Sequence, residues 1–234
     1  MSKKKEFLNS GVTKLAFSFD ALDPIRQLYY DILDNNLHPS VDIGIKAHED
    51  YSDEFKSVSM RWYFAKSPDA IKIFRDVLDG CELALSRDII GKSRNTMRVV
   101  QANIIETIGS YPTGRWHSDF HHTKLGTNES GTLLTPLFPF QPYFGGLETT
   151  SAHREEYDAY DELATVHKYQ EGQGILFDGT STIHRTQSYK AYPGDKRILV
   201  CWQFGCTRDE LQPVLTEVGE NNGDPMFFHE HDYA

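Results

Sequence analysis

The segment Arg115-Trp116-His117-Ser118-Asp119-Phe120-His121-His122 holds an imidazole and a carboxylate two residues apart. In extended backbone, residues i and i+2 project to the same side, so His117 and Asp119 can be offered together to one metal ion. A His-x-Asp pair is weak by itself, and it recurs at His48-Glu49-Asp50. Context separates the two. His117 follows a strand-like run and the turn Tyr111-Pro112-Thr113-Gly114, whereas His48 precedes a charged, helix-like stretch. A third ligand stands downstream in Phe177-Asp178-Gly179-Thr180-Ser181-Thr182-Ile183-His184. There a strand, a short polar turn and a histidine opening the next strand return the chain to the same end of a barrel. Two imidazoles and one carboxylate on one face of an iron ion leave three adjacent positions open, where a chelating co-substrate and O₂ can enter.

The elements that must position these groups can be read from periodicity. Asp23-Pro24 is a helix start, and Ile25, Leu28, Tyr29, Ile32 and Leu33 recur on one helical face behind it. Ser67-Pro68 repeats the signal, followed by Ile71, Phe74, Leu78, Cys81 and Leu85, with Gly80 as an interruption. After about residue 93 the pattern turns to strands. Residues 97–108 alternate, with Val100, Ala102, Ile104 and Ile108 on one side and Gln101, Asn103 and Thr107 on the other. Further strands are expected at 132–138, 164–169, 174–177, 182–188 and 198–204, separated by glycine and proline turns, including Gly145-Gly146. Many short strands without intervening helices argue for an antiparallel sandwich or barrel. The polar face of Gln101 and Asn103 fits either a ligand-holding barrel interior or an exposed sheet face.

The series YPTGRWHSD, GGLE, GILFDGTSTIH and GDKRILVCWQF, following the strand 97–108, resembles the Fe(II)/2-oxoglutarate-dependent dioxygenase superfamily. The resemblance covers roughly residues 97–204. It implies a mainly β fold, a double-stranded β-helix (jelly-roll) core with N-terminal helices packed on it. The whole chain, 1–234, is then one dioxygenase domain: a helical part over 1–93, the jelly roll over 94–206 and an acidic tail over 207–234. Position by position, His117, Asp119 and His184 match the iron ligands, with 2-oxoglutarate and O₂ as co-substrates. A basic residue on the strand after the distal histidine matches the anchor for the far carboxylate of 2-oxoglutarate. Of the neighbours Lys196 and Arg197, strand alternation allows only one to point inward. Arg197 is the choice because a guanidinium grips a carboxylate bidentately, while the spacing Gly194-Asp195-Lys196 favours the lysine. Tyr111 matches a position lining the co-substrate pocket. The implied reaction is hydroxylation of an unactivated C–H, with succinate and CO₂ as co-products. Asp119 occupies the place that a halogenase would leave to halide. Arg115, Trp116, Phe120 and Trp202 are the neighbourhood expected to meet a small polar, amino-acid-like substrate.

Competing readings are a catalytically silent jelly-roll binding module and a cupin-type metal enzyme using His121 or His122. Asp178, Ser181 and His184 do not make a hydrolase triad, because GTSTI lacks the second glycine of a nucleophile elbow. The acidic run 155–162 reads as a solvated loop or as a lid for a cationic substrate. The chain has 234 residues, 39% hydrophobic and 25% charged, with a net charge of −10. Residues 207–234 contribute one arginine against seven acids. That balance argues against nucleic acid, which needs a basic stripe to neutralise phosphates. No apolar run approaches the roughly 20 residues that cross a bilayer. The start MSKKKEF lacks the apolar stretch of a secretory signal, and three cysteines form no disulfide framework, so a cytoplasmic location is expected.

Overall fold

The computed structural model describes residues 2–34, 41–44, 59–65, 68–91, 97–112, 114–120 and 126–206. His48, Ser67, His121, His122, His229, His231 and the acidic tail 207–234 lie outside the described residues.

The first helix, α1 (Lys3–Ser10), starts where Ser2 accepts a hydrogen bond from the Lys5 N–H and stops at Gly11, whose φ of 69° suits glycine. Strand β1 (Val12–Ala16) follows directly. Helix α2 (Asp23–Leu33) carries Pro24 in its first turn and buries Ile25, Leu28, Tyr29 and Ile32, the stripe read from the sequence; Leu33 faces out. After β2 (Val41–Gly44) and β3 (Ser59–Ala65), helix α3 (Pro68–Asp79) buries Ala70, Ile71, Phe74, Val77 and Leu78. It ends at Gly80, whose N–H bonds the Asp76 carbonyl at 2.8 Å. A 3-10 turn leads into the short helix α4 (Leu85–Ile90).

Apart from a 3-10 turn at Tyr157–Ala159, the remaining described elements are strands: β4 (Met97–Ile108), β5 (Ser130–Pro136), β6 (Leu147–Thr150), β7 (Ala164–His167), β8 (Gln173–Phe177), β9 (Ile183–Thr186) and β10 (Lys196–Cys206). They form a seven-stranded sheet, β1-β8-β5-β10-β4-β3-β2, facing a three-stranded sheet, β7-β6-β9, and every pairing is antiparallel. This is a mainly β jelly roll with N-terminal helices. The helices cover the outer face of the large sheet. Ile104, Val200, Trp202, Phe204, Leu133 and Leu176 join Ile25, Leu28, Phe74 and Leu78 there in one core. No helix among the described residues is long and apolar enough to cross a membrane.

The reading of residues 1–93 as helical is incomplete: β1, β2 and β3 come from this part and add three strands to the large sheet. Their partners are remote in sequence for β1, where Val12 pairs with Phe177, so local pattern alone does not reveal them. Strand β3 also uses both faces. Arg61 and Tyr63 turn to the helix side, while Met60, Trp62 and Phe64 turn to the inner cavity, which blurs any apolar–polar alternation. Gly145-Gly146, read as a turn, opens directly into β6; a Cβ on Gly145 would lie 2.2 Å from the Gln187 carbonyl oxygen.

Candidate metal centre and co-substrate cavity

Between the turn after β4 and the candidate ligands, the backbone runs antiparallel to β9. Tyr111 and Tyr189 exchange backbone hydrogen bonds at 3.0 and 2.8 Å, Gly114 donates to Thr186 at 3.2 Å, and His117 and His184 exchange bonds at 3.0 and 2.8 Å. Tyr111, Gly114 and His117 are therefore bridged to the β9 segment, on the side of β9 away from β6. A direct cross-strand pair puts the two imidazoles together, with ring centroids 4.4 Å apart. Asp119, two residues on, returns to the same side. Its Oδ1 lies 3.3 Å from His184 Nε2 and 3.7 Å from His117 Nε2. The three ligand atoms all lie within 4.8 Å of one another. With ligand bonds of about 2.0–2.2 Å, that spacing suits one shared divalent ion.

Each of these three side chains is held from behind. His117 Nδ1 lies 2.9 Å from the Arg115 carbonyl and His184 Nδ1 lies 3.1 Å from the Thr182 carbonyl. Donation of the Nδ1 protons to those carbonyls leaves both Nε2 lone pairs facing Asp119. Asp119 Oδ2 accepts a hydrogen bond from the Thr132 hydroxyl. Burial alone would raise the Asp119 pKa, but the adjacent His184 and His117 rings and the Thr132 hydroxyl together hold it well below the usual carboxylate range. Burial depresses the His184 pKa, and the Asp119 charge outweighs it, so the net shift is upward. His184 is buried beside Phe177, whereas His117 is half exposed at the mouth.

The three groups open onto a cavity of about 380 Å³ between the two sheets. Strand β10 lines it with Arg197, Leu199, Cys201 and Gln203, and β4 with Gln101, Asn103 and Ile105. The polar face of β4 is thus a cavity wall, not a solvent-exposed sheet face. The Asn103 Oδ1 is buried there with no hydrogen-bond partner. Arg197 is 2% exposed, with its guanidinium carbon 5.3 Å from the Tyr169 ring centroid and 5.9 Å from that of Tyr189. Its Nε has no hydrogen-bond partner, and among the described residues no carboxylate lies within ion-pair distance. Burial pushes the Tyr169 hydroxyl up to about 12 even though Arg197 opposes the shift.

Lys196, the other basic candidate, points to the opposite face of β10 and pairs with the buried Glu106 at 3.2 Å. Tyr111 lines the cavity and stacks on Tyr189 at 6.1 Å. Arg115 lies at the cavity mouth. The other three residues expected near a substrate are placed elsewhere. Trp116 turns outward between two inward-facing residues, packing on Tyr160 and under Arg185 and donating to Asp161 at 3.1 Å. Trp202 has the wrong parity relative to Arg197: it lies in the helix-side core and donates to the Phe74 carbonyl at 3.2 Å. Phe120 is buried over Gly179, and its N–H bonds the Gly179 carbonyl at 3.1 Å, so it clamps the ligand segment to the β8–β9 turn. Conversely, Thr132, Tyr169 and Gln203 line the cavity without having been singled out; β-strand parity from Arg197 does predict the inward direction of Gln203.

Neither protein-family models nor curated protein sequences yield a match. Solved structures do. EctD from S. alaskensis in its apoform superposes with a TM-score of 0.63 at 18% identity, over 88% of this chain and 77% of that chain. The non-haem α-ketoglutarate-dependent epimerase SnoN from nogalamycin biosynthesis gives 0.61 at 9% identity, over 86% and 80%. HygX from Streptomyces hygroscopicus, solved with nickel and 2-oxoglutarate bound, gives 0.56 at 15% identity, over 88% and 86%. The chain therefore has the jelly-roll fold on which such non-haem α-ketoglutarate-dependent enzymes are built.

Proposed function

We propose that this chain is an Fe(II)/2-oxoglutarate-dependent oxygenase that hydroxylates an unactivated C–H of a small polar substrate. One observation carries the reading. A His-Asp-His cluster fit for a divalent ion and a buried guanidinium without an anionic partner among the described residues share one cavity. An ion site alone, or an anion site alone, would have many uses. Together they suit a molecule with a metal-chelating 2-oxo acid at one end and a second carboxylate at the other. An unpaired buried charge costs several kcal/mol, so Arg197 is held ready for a charged ligand. The similarity to SnoN and HygX supports the same co-substrate.

His117, Asp119 and His184 would hold the iron, and Arg197, flanked by Tyr169 and Tyr189, would take the far carboxylate of 2-oxoglutarate. When bound, the iron lets O₂ and 2-oxoglutarate oxidise the substrate: R–H, O₂ and 2-oxoglutarate give R–OH, succinate and CO₂. The protein's residues bind, orient and exclude water. The backbone carbonyls of Arg115 and Thr182 fix both imidazoles. Leu134, Leu199 and Phe177 give the cavity dry walls, and Gln101, Asn103 and Gln203 offer neutral hydrogen-bonding groups to a polar substrate. Asp119 keeps the carboxylate ligand in place, which favours hydroxylation over halogenation. SnoN, with a similar fold, is an epimerase, so the fold by itself does not set the reaction type. Residues 1–234 are read as one catalytic unit acting on a small molecule in the cytoplasm.

The test is an anaerobic titration of the purified chain with Fe(II) and then 2-oxoglutarate, followed by exposure to air with a metabolite panel. A visible charge-transfer band on adding 2-oxoglutarate, and a product heavier by one oxygen atom, are expected. A chain that binds neither Fe(II) nor 2-oxoglutarate overturns the reading.

A further inference from the structure

The metal cluster is supported by one lateral row of the large sheet. Phe177 on β8 pairs with Thr132 on β5, Thr132 with Gln203 on β10, and Gln203 with Gln101 on β4. All four side chains line the cavity. Within the row, the Phe177 ring packs on His184 with centroids 4.5 Å apart, and the Thr132 hydroxyl bonds Asp119 Oδ2. Among the described residues, backbone carbonyls bond the Nδ1 atoms of both imidazoles. Thr132 bonds Asp119 through its side chain, so a substitution can remove it.

We propose that Thr132 is a positioning residue that makes Asp119 a one-oxygen metal ligand. An ionised carboxylate is acceptor-only, so the hydroxyl proton between Thr132 and Asp119 belongs to the threonine. That bond engages Oδ2 and leaves Oδ1 as the oxygen facing both Nε2 atoms, at 3.3 and 3.7 Å. Thr132 is 2% exposed on a strand flanked by β8 and β10, and its branched side chain has restricted χ1 freedom, so the place of its hydroxyl oxygen beside Asp119 is held. Without the hydroxyl, Asp119 is free to rotate and chelate through both oxygens, closing a position that a co-substrate needs. The ligand set stays the same while the number of open positions changes. Thr132 reaches Asp119 from the opposite sheet, so it also ties the ligand segment to the large sheet.

This inference rests on the metal-site reading, and the experiment separates the two. Co(II) is titrated into the parent, Thr132→Val, Thr132→Ala, Thr132→Ser and Asp119→Ala chains without co-substrate or turnover. Affinity and the visible ligand-field spectrum, which reports coordination number, are recorded. Loss of such an outer partner weakens metal binding by about 10–100-fold. Thr132→Val and Thr132→Ala are expected to show that loss with a changed spectrum, while Thr132→Ser, which keeps the hydroxyl, restores both. If the hydroxyl-free variants match the parent in affinity and spectrum while Asp119→Ala loses the metal, the role of Thr132 is refuted and the metal site stands. If the parent does not bind Co(II), or Asp119→Ala binds it equally well, the metal site falls and this role with it. Melting curves identify a variant that fails to fold, and Thr132→Ala gives a second hydroxyl-free chain if Thr132→Val does so.

Discussion

Replacing Arg197 by methionine should make the ligand-free protein more stable and the co-substrate complex much weaker. Arg197 is 2% exposed, and among the described residues the compensation of its guanidinium consists of two tyrosine rings at 5.3 and 5.9 Å and a polar contact with Tyr169. Cation–π contacts contribute about 0.5–2 kcal/mol each, against a desolvation cost of several kcal/mol for a buried ion. Replacing buried charge by an apolar side chain of similar reach is then expected to stabilise the protein by about 1–4 kcal/mol. For a chain of this size each kcal/mol moves Tm by about 2–4 °C, so Arg197→Met should melt several degrees higher. In the complex the sign reverses, because losing one partner of a buried, hydrogen-bonded charge pair costs about 2–5 kcal/mol. That is a drop in 2-oxoglutarate affinity of about 30-fold to a few thousand-fold. The assay is thermal melting with a divalent metal, with and without 2-oxoglutarate. Ligand at about 100 times Kd adds about 2.7 kcal/mol to the parent, and the variant should lose most of that gain. A variant that melts lower than the parent yet keeps the full ligand-induced shift refutes the reasoning. It would mean that the protein itself satisfies the guanidinium charge and that the anion binds elsewhere.

Lys196→Met should leave 2-oxoglutarate affinity at the parent level, because this lysine faces Glu106 on the other side of β10; a loss as large as that of Arg197→Met in isothermal titration would reverse the anchor assignment. A Cβ on Gly179 would sit 2.7 Å from the Phe120 ring, so Gly179→Ala should cost about 1–3 kcal/mol in urea unfolding and, by shifting the Asp119 segment, weaken metal binding as well. Trp202→Phe should lower stability by about 1–3 kcal/mol and leave 2-oxoglutarate affinity unchanged, since Trp202 is a core residue; altered affinity would contradict that placement. Burial, with help from Lys14, lowers the His167 pKa below 6.5. As pH falls through that value the unfolded chain binds a proton that the folded one resists, so stability drops below about pH 6.5. In His167→Gln the decline in Tm over that window should be shallower; an unchanged slope would contradict the shift.

The His-Asp-His cluster was legible because the chemistry proposed for it needs few residues and extended backbone has a period of two. His117 and Asp119 share a side by that rule, and a turn followed by His184 supplies the third group. The same rule, carried further, would have removed two expectations. Arg197 and Trp202 are five apart on one strand, so they cannot both face the cavity, and Trp116 sits between residues that face inward. The helices α2 and α3 were legible from their apolar stripes, since their periodicity is local. Strands β1 and β3 were not. The partner of β1 lies in residues 173–177, and β3 carries side chains of use on both faces, so neither shows a clean alternation. Thr132 is the sharpest case. A threonine in a strand reads as an ordinary β-former, and its role exists only because a turn folds Asp119 back against it.

Cooperation of the metal cluster and the carboxylate anchor in 2-oxoglutarate-dependent oxidation is read out by succinate formation. The purified chain is incubated with Fe(II), 2-oxoglutarate and O₂, beside Asp119→Ala, His184→Ala and Arg197→Met chains. Succinate and CO₂ in equal amounts are expected from the parent, none above background from the Asp119 and His184 variants, and recovery in Arg197→Met only at much higher 2-oxoglutarate. Succinate formed as fast by Asp119→Ala and His184→Ala as by the parent would contradict that cooperation.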